Sequence, residues 1–185
     1  MAGDSTRTGF LSDEELKNGP GIPGEARRRK GAVAALECLE DIPCNPCEAI
    51  CKYDAITIGE DITTPPRLTE DNCVGCRSCV PICPGQAIFI VDESLDDDRA
   101  TIEMPYEYRP LPEKGEIVTA LDRAGQKIGD ATVTAVKKTE KMDRTATVII
   151  EVPRDWSMKA RAIQLKRYFI DQEVKENGRT SVRYG

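Results

Sequence analysis

Eight cysteines, all between residues 38 and 83 of a 185-residue chain, constrain its fold more than any other feature. The second group reads Cys73-Val-Gly-Cys76-Arg-Ser-Cys79-Val-Pro-Ile-Cys83-Pro84, which is C-x2-C-x2-C-x3-C-P. Spacing of i, i+3 and i+6 wraps three soft thiolates around one face of a compact inorganic core, and the proline after the fourth turns the chain away. The first group, Cys38, Cys44, Cys47 and Cys51, repeats the last two spacings and stretches the first to x5. No cysteine is left over. Such a run is the bacterial-type [4Fe–4S] pattern, in which three thiolates hold one cluster and the fourth reaches across to another. Two [4Fe–4S] clusters and an electron-transfer role are therefore expected. By the same logic cluster I takes Cys38, Cys44, Cys47 and Cys83, and cluster II takes Cys73, Cys76, Cys79 and Cys51.

Zinc is the strongest rival, because all-cysteine zinc sites also use C-x2-C knuckles. Those knuckles come as separated pairs, and a triple C-x2-C-x2-C is poor tetrahedral geometry. Disulfides rank lower in a chain with no secretory segment. Two departures from the pattern matter. Residues 39–43 intervene between Cys38 and Cys44; the first ligand is the one least constrained by the helical turn, so the longer loop is expected to return its thiolate, a three-iron species being the other outcome. Lys52 stands where a proline usually follows Cys51; a cation there favours the reduced, more negative cluster, the other reading being a solvated lysine without such an effect. The two clusters are thus expected to be inequivalent.

An apolar fraction of 39% with 5% aromatics is thin for one large core and suits a small cluster-nucleated unit plus a modest β unit. The N-terminal residues lack the apolar core of a signal peptide, and no apolar stretch is long enough for a membrane span, so a cytoplasmic setting is expected. Formal net charge is −6, and two clusters with four thiolates each take it to about −10. Nucleic-acid binding, which needs a positive face, is disfavoured; steering toward a basic partner site is compatible. The chain has no histidine, which removes Rieske ligation, histidine-ligated haem, Ser–His–Asp triads and Cys–His pairs together. No catalytic residue is assigned.

Three segments are read along the chain. Residues 1–31 form an extended arm with a helical turn at Asp13–Lys17, a Gly-Pro-Gly-Ile-Pro-Gly run at 19–24 and a basic knot, Arg27-Arg28-Arg29-Lys30. Gly19, Gly21 and Gly24 formally fit G-x-G-x-x-G, but no strand precedes them and two prolines interrupt them, so a flexible linker is preferred. The knot is read as solvated or partner-facing. Residues 32–95 hold a repeat with a period of 32 in which Cys44, Cys47, Cys51 and Ile56 map onto Cys76, Cys79, Cys83 and Ile88. Each half reads as a cysteine loop, a helical turn and a strand, after a leading strand at 32–37. Residues 96–185 carry strand signals at 101–104, 116–121, 131–136 and 145–152, with turns at 122–125, 128–130 and 141–144, which imply a small antiparallel barrel or sandwich. Trp156, Ala160 and Ile163 fall at helical spacing and are read as core; the tail from Asp171 is read as loosely held. The fold class is thus α+β, a pseudo-symmetric two-cluster unit followed by a mainly antiparallel β unit.

The run Cys44-Asn-Pro-Cys47-Glu-Ala-Ile-Cys51 with Cys73 to Pro84 closely resembles the two-[4Fe–4S] ferredoxin family over about a third of the chain. More broadly, the Pro/Gly-rich arm, the Glu37-Cys38-x5-Cys44 start and the added β unit resemble small ferredoxin-type subunits of flavoprotein dehydrogenase complexes that oxidise amino acids or opines, such as the proline and hydroxyproline enzymes. That likeness implies an electron conduit between flavins, or from a flavin to an external acceptor, with flavoprotein dehydrogenase subunits as partners. A free-standing ferredoxin, a zinc-stabilised interaction module and an enzyme whose clusters feed a site in the β unit remain the alternatives.

Overall fold

The computed structural model describes residues 5–38, 41–138 and 145–167. Among the described residues nine strands form two sheets, and all their pairings are antiparallel: β1 Val33–Leu36, β2 Ile56–Thr57, β3 Arg67–Leu68, β4 Ile88–Asp92, β5 Arg99–Tyr106, β6 Ile117–Leu121, β7 Lys127–Lys137, β8 Ala146–Pro153 and β9 Ala162–Leu165. Short helices cover α1 Ser5–Thr8, α2 Asp13–Lys17, α3 Glu25–Arg28, α4 Pro46–Ile50 and α5 Cys79–Ile82. The chain is mixed, with a mostly antiparallel sheet and few helical residues.

The seven-stranded sheet runs β1-β4-β5-β8-β7-β6-β9, while β2 and β3 pair apart. A separate barrel or sandwich was expected for the later strands; they instead continue the sheet started by β1 and β4. The continuation follows from the sequence of β4, Ile-Phe-Ile-Val-Asp. Successive side chains of a strand point to opposite faces, so Ile88 and Ile90 enter a core with Cys47, Cys79, Val80 and Leu36, while Phe89 enters a second core with Ile102, Met104, Ile150 and Leu165. A strand apolar on both faces must be covered on both. β4 is the common wall of the two cores.

One turn and one helical reading change. The Ile128-Gly129-Asp130 segment lies inside β7, where Gly129 passes so close to Trp156 that a Cβ would meet its ring at 2.3 Å. Ile163 lies in β9, paired with Ala120 on β6, so the apparent helical spacing of Trp156, Ala160 and Ile163 arises from a 3-10 turn followed by a strand. All three still pack in or against the larger core. The predicted turn at 141–144 and the tail from Asp171 lie outside the described residues.

The arm is not a free linker where it is described. Ser12 and Glu15 form a reciprocal capping box on α2, which supplies partners for two otherwise unpaired N–H groups. Gly21 lies against β1: Leu36 N–H donates to its carbonyl at 2.9 Å, and a Cβ on Gly21 would come within 2.5 Å of the Leu36 Cβ. The Gly24 amide donates to the Glu70 carboxylate at 2.6 Å, so this amide serves an internal carboxylate and not a phosphate. Of the basic knot, Arg27 and Arg28 turn inward. Arg27 donates to the carbonyls of Glu70, Gly31, Ala32 and Cys73, and Arg28 pairs with Glu93 at 2.6 Å.

Candidate metal centres

α4 and α5 pack against each other and carry the central cysteines. Cys47 follows Pro46 at the start of α4, where a proline is preorganised for the first turn. Each helix ends on a cysteine, Cys51 and Cys83, whose backbone has already turned extended (φ −78°, ψ 101° and φ −74°, ψ 112°). The extended ψ turns the chain that follows each of these cysteines away from the helix axis.

The result is two separate groupings. One small cavity is lined by Cys38, Cys44, Cys47 and Cys83, with Ile42, Pro46 and Pro66. The other is lined by Cys51, Cys73, Cys76 and Cys79, with Ala34, Ile56 and Ile90. All eight cysteines singled out in the sequence thus line one cavity or the other, and none of them is in a disulfide. Among the described residues no three thiol or carboxylate side chains stand close enough to hold a single metal ion. The sulfurs surround voids and do not converge on a point.

Electrostatics follow the same partition. Burial pushes the Cys47 thiol up to about 11, with added repulsion from Cys83, Cys44 and Cys38. Cys79 is raised further by burial, then by Cys73, Cys76 and Cys51. Four thiolates around an apolar void are unfavourable without a cationic core, so the donor set fits a thiophilic iron–sulfur group whose binding expels protons. Backbone donors reach both sets: Ala34 N–H reaches Cys73 Sγ at 3.4 Å and Ala87 N–H reaches Cys83 Sγ at 3.5 Å. Hydrogen bonds to ligand sulfur are one of the levers on cluster potential.

The spacing did not reveal the ion pairs that brace both loops. Glu37, beside Cys38, accepts from Arg123 (2.5 and 2.7 Å) and Arg161 (2.6 Å). Arg161 is buried, lies over the Phe89 ring at 4.8 Å and is pulled down to about 10 by burial, still well above neutral pH. Arg77, between Cys76 and Ser78, adopts φ +73° and reaches Glu103 at 2.8 Å; Lys137 reaches the same oxygen at 3.0 Å. Glu103 is opposite Ile90 in register, and directly opposed residues share a face, which is why this carboxylate meets the cysteine layer. The signal available in the sequence was a Glu among apolar strand residues.

In its cysteine layer the chain resembles iron–sulfur, [4Fe–4S] proteins. Residues 42–87 match the 4Fe-4S dicluster domain family, a span that includes seven of the eight cysteines and stops short of Cys38. Within that layer the chain is similar to ferredoxins. A ferredoxin of Streptomyces griseus is 32% identical over 65 residues, 35% of this chain and 58% of that protein. One component of the Na(+)-translocating ferredoxin:NAD(+) oxidoreductase complex of Acetobacterium woodii is 40% identical over 50 residues, 27% of this chain and 14% of that protein. The chain therefore spans only a part of either relative. No solved structure matches it, and among the described residues no helix is long and apolar enough to cross a membrane.

Proposed function

We propose that the chain is an electron-transfer subunit holding two [4Fe–4S] clusters, one on Cys38, Cys44, Cys47 and Cys83 and one on Cys73, Cys76, Cys79 and Cys51, which relays electrons to or from flavin sites of partner dehydrogenase subunits in a reducing, cytoplasmic setting. The observation that carries it is the sorting of eight thiols into two cavities, each fed by three cysteines of one loop and one from the end of the other helix. That exchange between α4 and α5 is what a pseudo-symmetric two-cluster unit requires. A [4Fe–4S] group supplies one-electron redox chemistry at a potential set by charge, sulfur hydrogen bonds and solvent access.

The chain's own residues then have defined tasks. Cys47 and Cys79, both buried, seat each site in the apolar layer of Leu36, Val80, Ile88 and Ile90. The amides of Ala34 and Ala87 donate to ligand sulfur, and the Glu37 and Glu103 networks fix the loops. The segments 1–31 and 96–185 serve as grips on fixed partners, which a diffusible carrier does not need.

An anaerobic pull-down of the tagged full chain, with iron, sulfide and flavin counts, tests this. Recovery with flavoprotein subunits and about eight irons per copy supports it. A lone brown protein with the same iron makes it a free ferredoxin; a colourless zinc protein overturns the cluster assignment itself.

A further inference from the structure

A surface cavity of about 300 Å³ lies beside Cys76, lined by Ile50, Cys76, Arg77, Ser78, Pro81, Ile82, Glu103 and Lys137. Four of these, Ile50, Cys76, Arg77 and Ser78, also line the cavity of Cys51, Cys73 and Cys79. These four residues belong to the walls of both cavities. Cys76 is exposed, whereas the other seven cysteines are buried or half-buried. Exposed Val74, Tyr53 and Ile50 rim the inner cavity.

The charge at this opening is unbalanced. Glu103 is buried, and its second oxygen already accepts the Thr147 hydroxyl at 2.7 Å. Two cations, Arg77 and Lys137, converge on its other oxygen, and each keeps 39% of its side chain in solvent. Among the described residues lining the cavity two cations meet one carboxylate, so the side chains at this opening carry a net positive charge, set against the negative charge of a cluster held behind Cys76. Arg77 holds its strained backbone to do so, with a further bond to the Gly75 carbonyl at 3.0 Å. At Cys38 two arginines also meet one carboxylate, Glu37, but their side chains are only 10% and 4% exposed. Their remaining donors go to Met158, Ser157 and Ala160. That arrangement is a saturated clamp. The one beside Cys76 offers donors to an incoming group, within a chain whose overall charge is −6.

We propose that the cavity beside Cys76 is the docking port for a redox partner protein that presents a carboxylate side chain next to its own electron-transfer centre. The carboxylate seats between Arg77 and Lys137, against the apolar Ile50, Pro81 and Ile82, and one electron crosses the Cys76 wall between partner centre and cluster, the donor oxidised and the acceptor reduced by that electron. The port rests on the assignment of a cluster to Cys51, Cys73, Cys76 and Cys79.

The test uses the full cluster-loaded chain, reduced anaerobically and mixed with an anionic oxidant, cobalt(III)–EDTA, or a cationic one, tris(phenanthroline)cobalt(III). Lys137→Gln is expected to slow the anionic oxidant about threefold at low salt and to raise the concentration of redox-inert hexacyanocobaltate needed to block it. Lys137→Arg retains both, the cationic oxidant is not slowed, and the difference fades near 1 M salt, where the Debye length is about 3 Å. Equal slowing of both oxidants, or of neither, overturns the port. In the complex with partner subunits, carbodiimide is expected to join Lys137 to a partner carboxylate; linkage through other lysines but not this one also overturns it. Absence of any complex refutes the subunit reading, and the oxidant comparison still decides the port.

Discussion

Glu37→Gln is the sharpest test of how the Cys38 loop is held. The wild-type carboxylate accepts three charge-assisted bonds of 2.5–2.7 Å from two guanidinium groups while only 6% exposed. Glutamine keeps the shape, removes the negative charge and turns an NH2 toward two guanidinium groups that, among the described residues, form their ion pairs with Glu37. Two cations, with side chains 10% and 4% exposed, are then left uncompensated. Removing one partner of a buried pair costs about 3–5 kcal/mol. At a guanidinium slope of about 4 kcal/mol/M, this moves the unfolding midpoint down by about 1 M. The assay is anaerobic guanidinium denaturation of the cluster-loaded chain, followed in parallel by far-UV circular dichroism and visible absorbance. Because Glu37 adjoins Cys38 and not the other loop, chelator-accessible iron is expected to come first from the Cys38 set. A shift below about 0.25 M, or equal iron loss from both sites, refutes the reasoning.

Other outcomes follow from the same geometry. Arg27→Ala removes four carbonyl contacts, one of them to Cys73, and is expected to speed chelator-driven loss of the Cys73-set cluster severalfold; Arg27→Lys does not rescue it, since an ammonium lacks the planar fork. Arg29→Ala and Lys30→Ala, at exposed positions, change neither rate nor midpoint. Cys38→Ser and Cys76→Ser are expected each to alter the electron paramagnetic resonance signal of one cluster and leave the other, and an identical loss in both variants contradicts the two-set assignment. Gly75→Ala forces a Cβ to within 2.5 Å of the Ala32 carbonyl at φ +64°, so its iron content after purification is expected to fall well below that of the wild type.

How far the sequence carried depended on the range of the physics involved. Ligand spacing is local chemistry, and C-x2-C-x2-C-x3-C-P is enough to expect two groups of four, because that loop geometry brings three sulfurs to one face. Strand positions were also local: β6, β7 and β8 fall where Val, Ile and Thr cluster. The sheet order was not legible. Nothing in Ile88–Asp92 alone says that Phe89 faces a different core from Ile88 and Ile90; an unbroken apolar run fits any two-sided burial. Arg27 and Arg28 were misread for a related reason. Four adjacent basic residues look like a solvated patch, and the carbonyls that capture Arg27 come from residues up to 46 positions away. Glu37, Glu93 and Glu103 could be noticed as charges beside apolar strands, but their partners lie 26–124 residues off.

Those three carboxylates lie along the seam between the cysteine layer and the sheet, and the seam raises a question of purpose that Arg28–Glu93 can answer. Arg28 Nε meets Glu93 Oε1 at 2.6 Å, the same oxygen accepts the Ser157 hydroxyl at 2.6 Å, and the side-chain exposures are 15% and 3%. Arg28 and Glu93 also share a backbone bond, Glu93 N–H to the Arg28 carbonyl at 3.0 Å. Desolvating such a pair consumes most of its Coulomb attraction, so an apolar pair of similar volume is often neutral or better, while loss of one member costs about 3–5 kcal/mol. If the pair fixes the position of the arm more than it adds stability, Arg28→Met with Glu93→Leu is expected to fall within about 1 kcal/mol of the wild type, with Arg28→Met alone far worse. The apolar double variant then differs in ordering: the arm's amides exchange faster with solvent deuterium although the midpoint is kept. A double variant as destabilised as the sum of its singles refutes this, and makes the seam a source of stability in its own right.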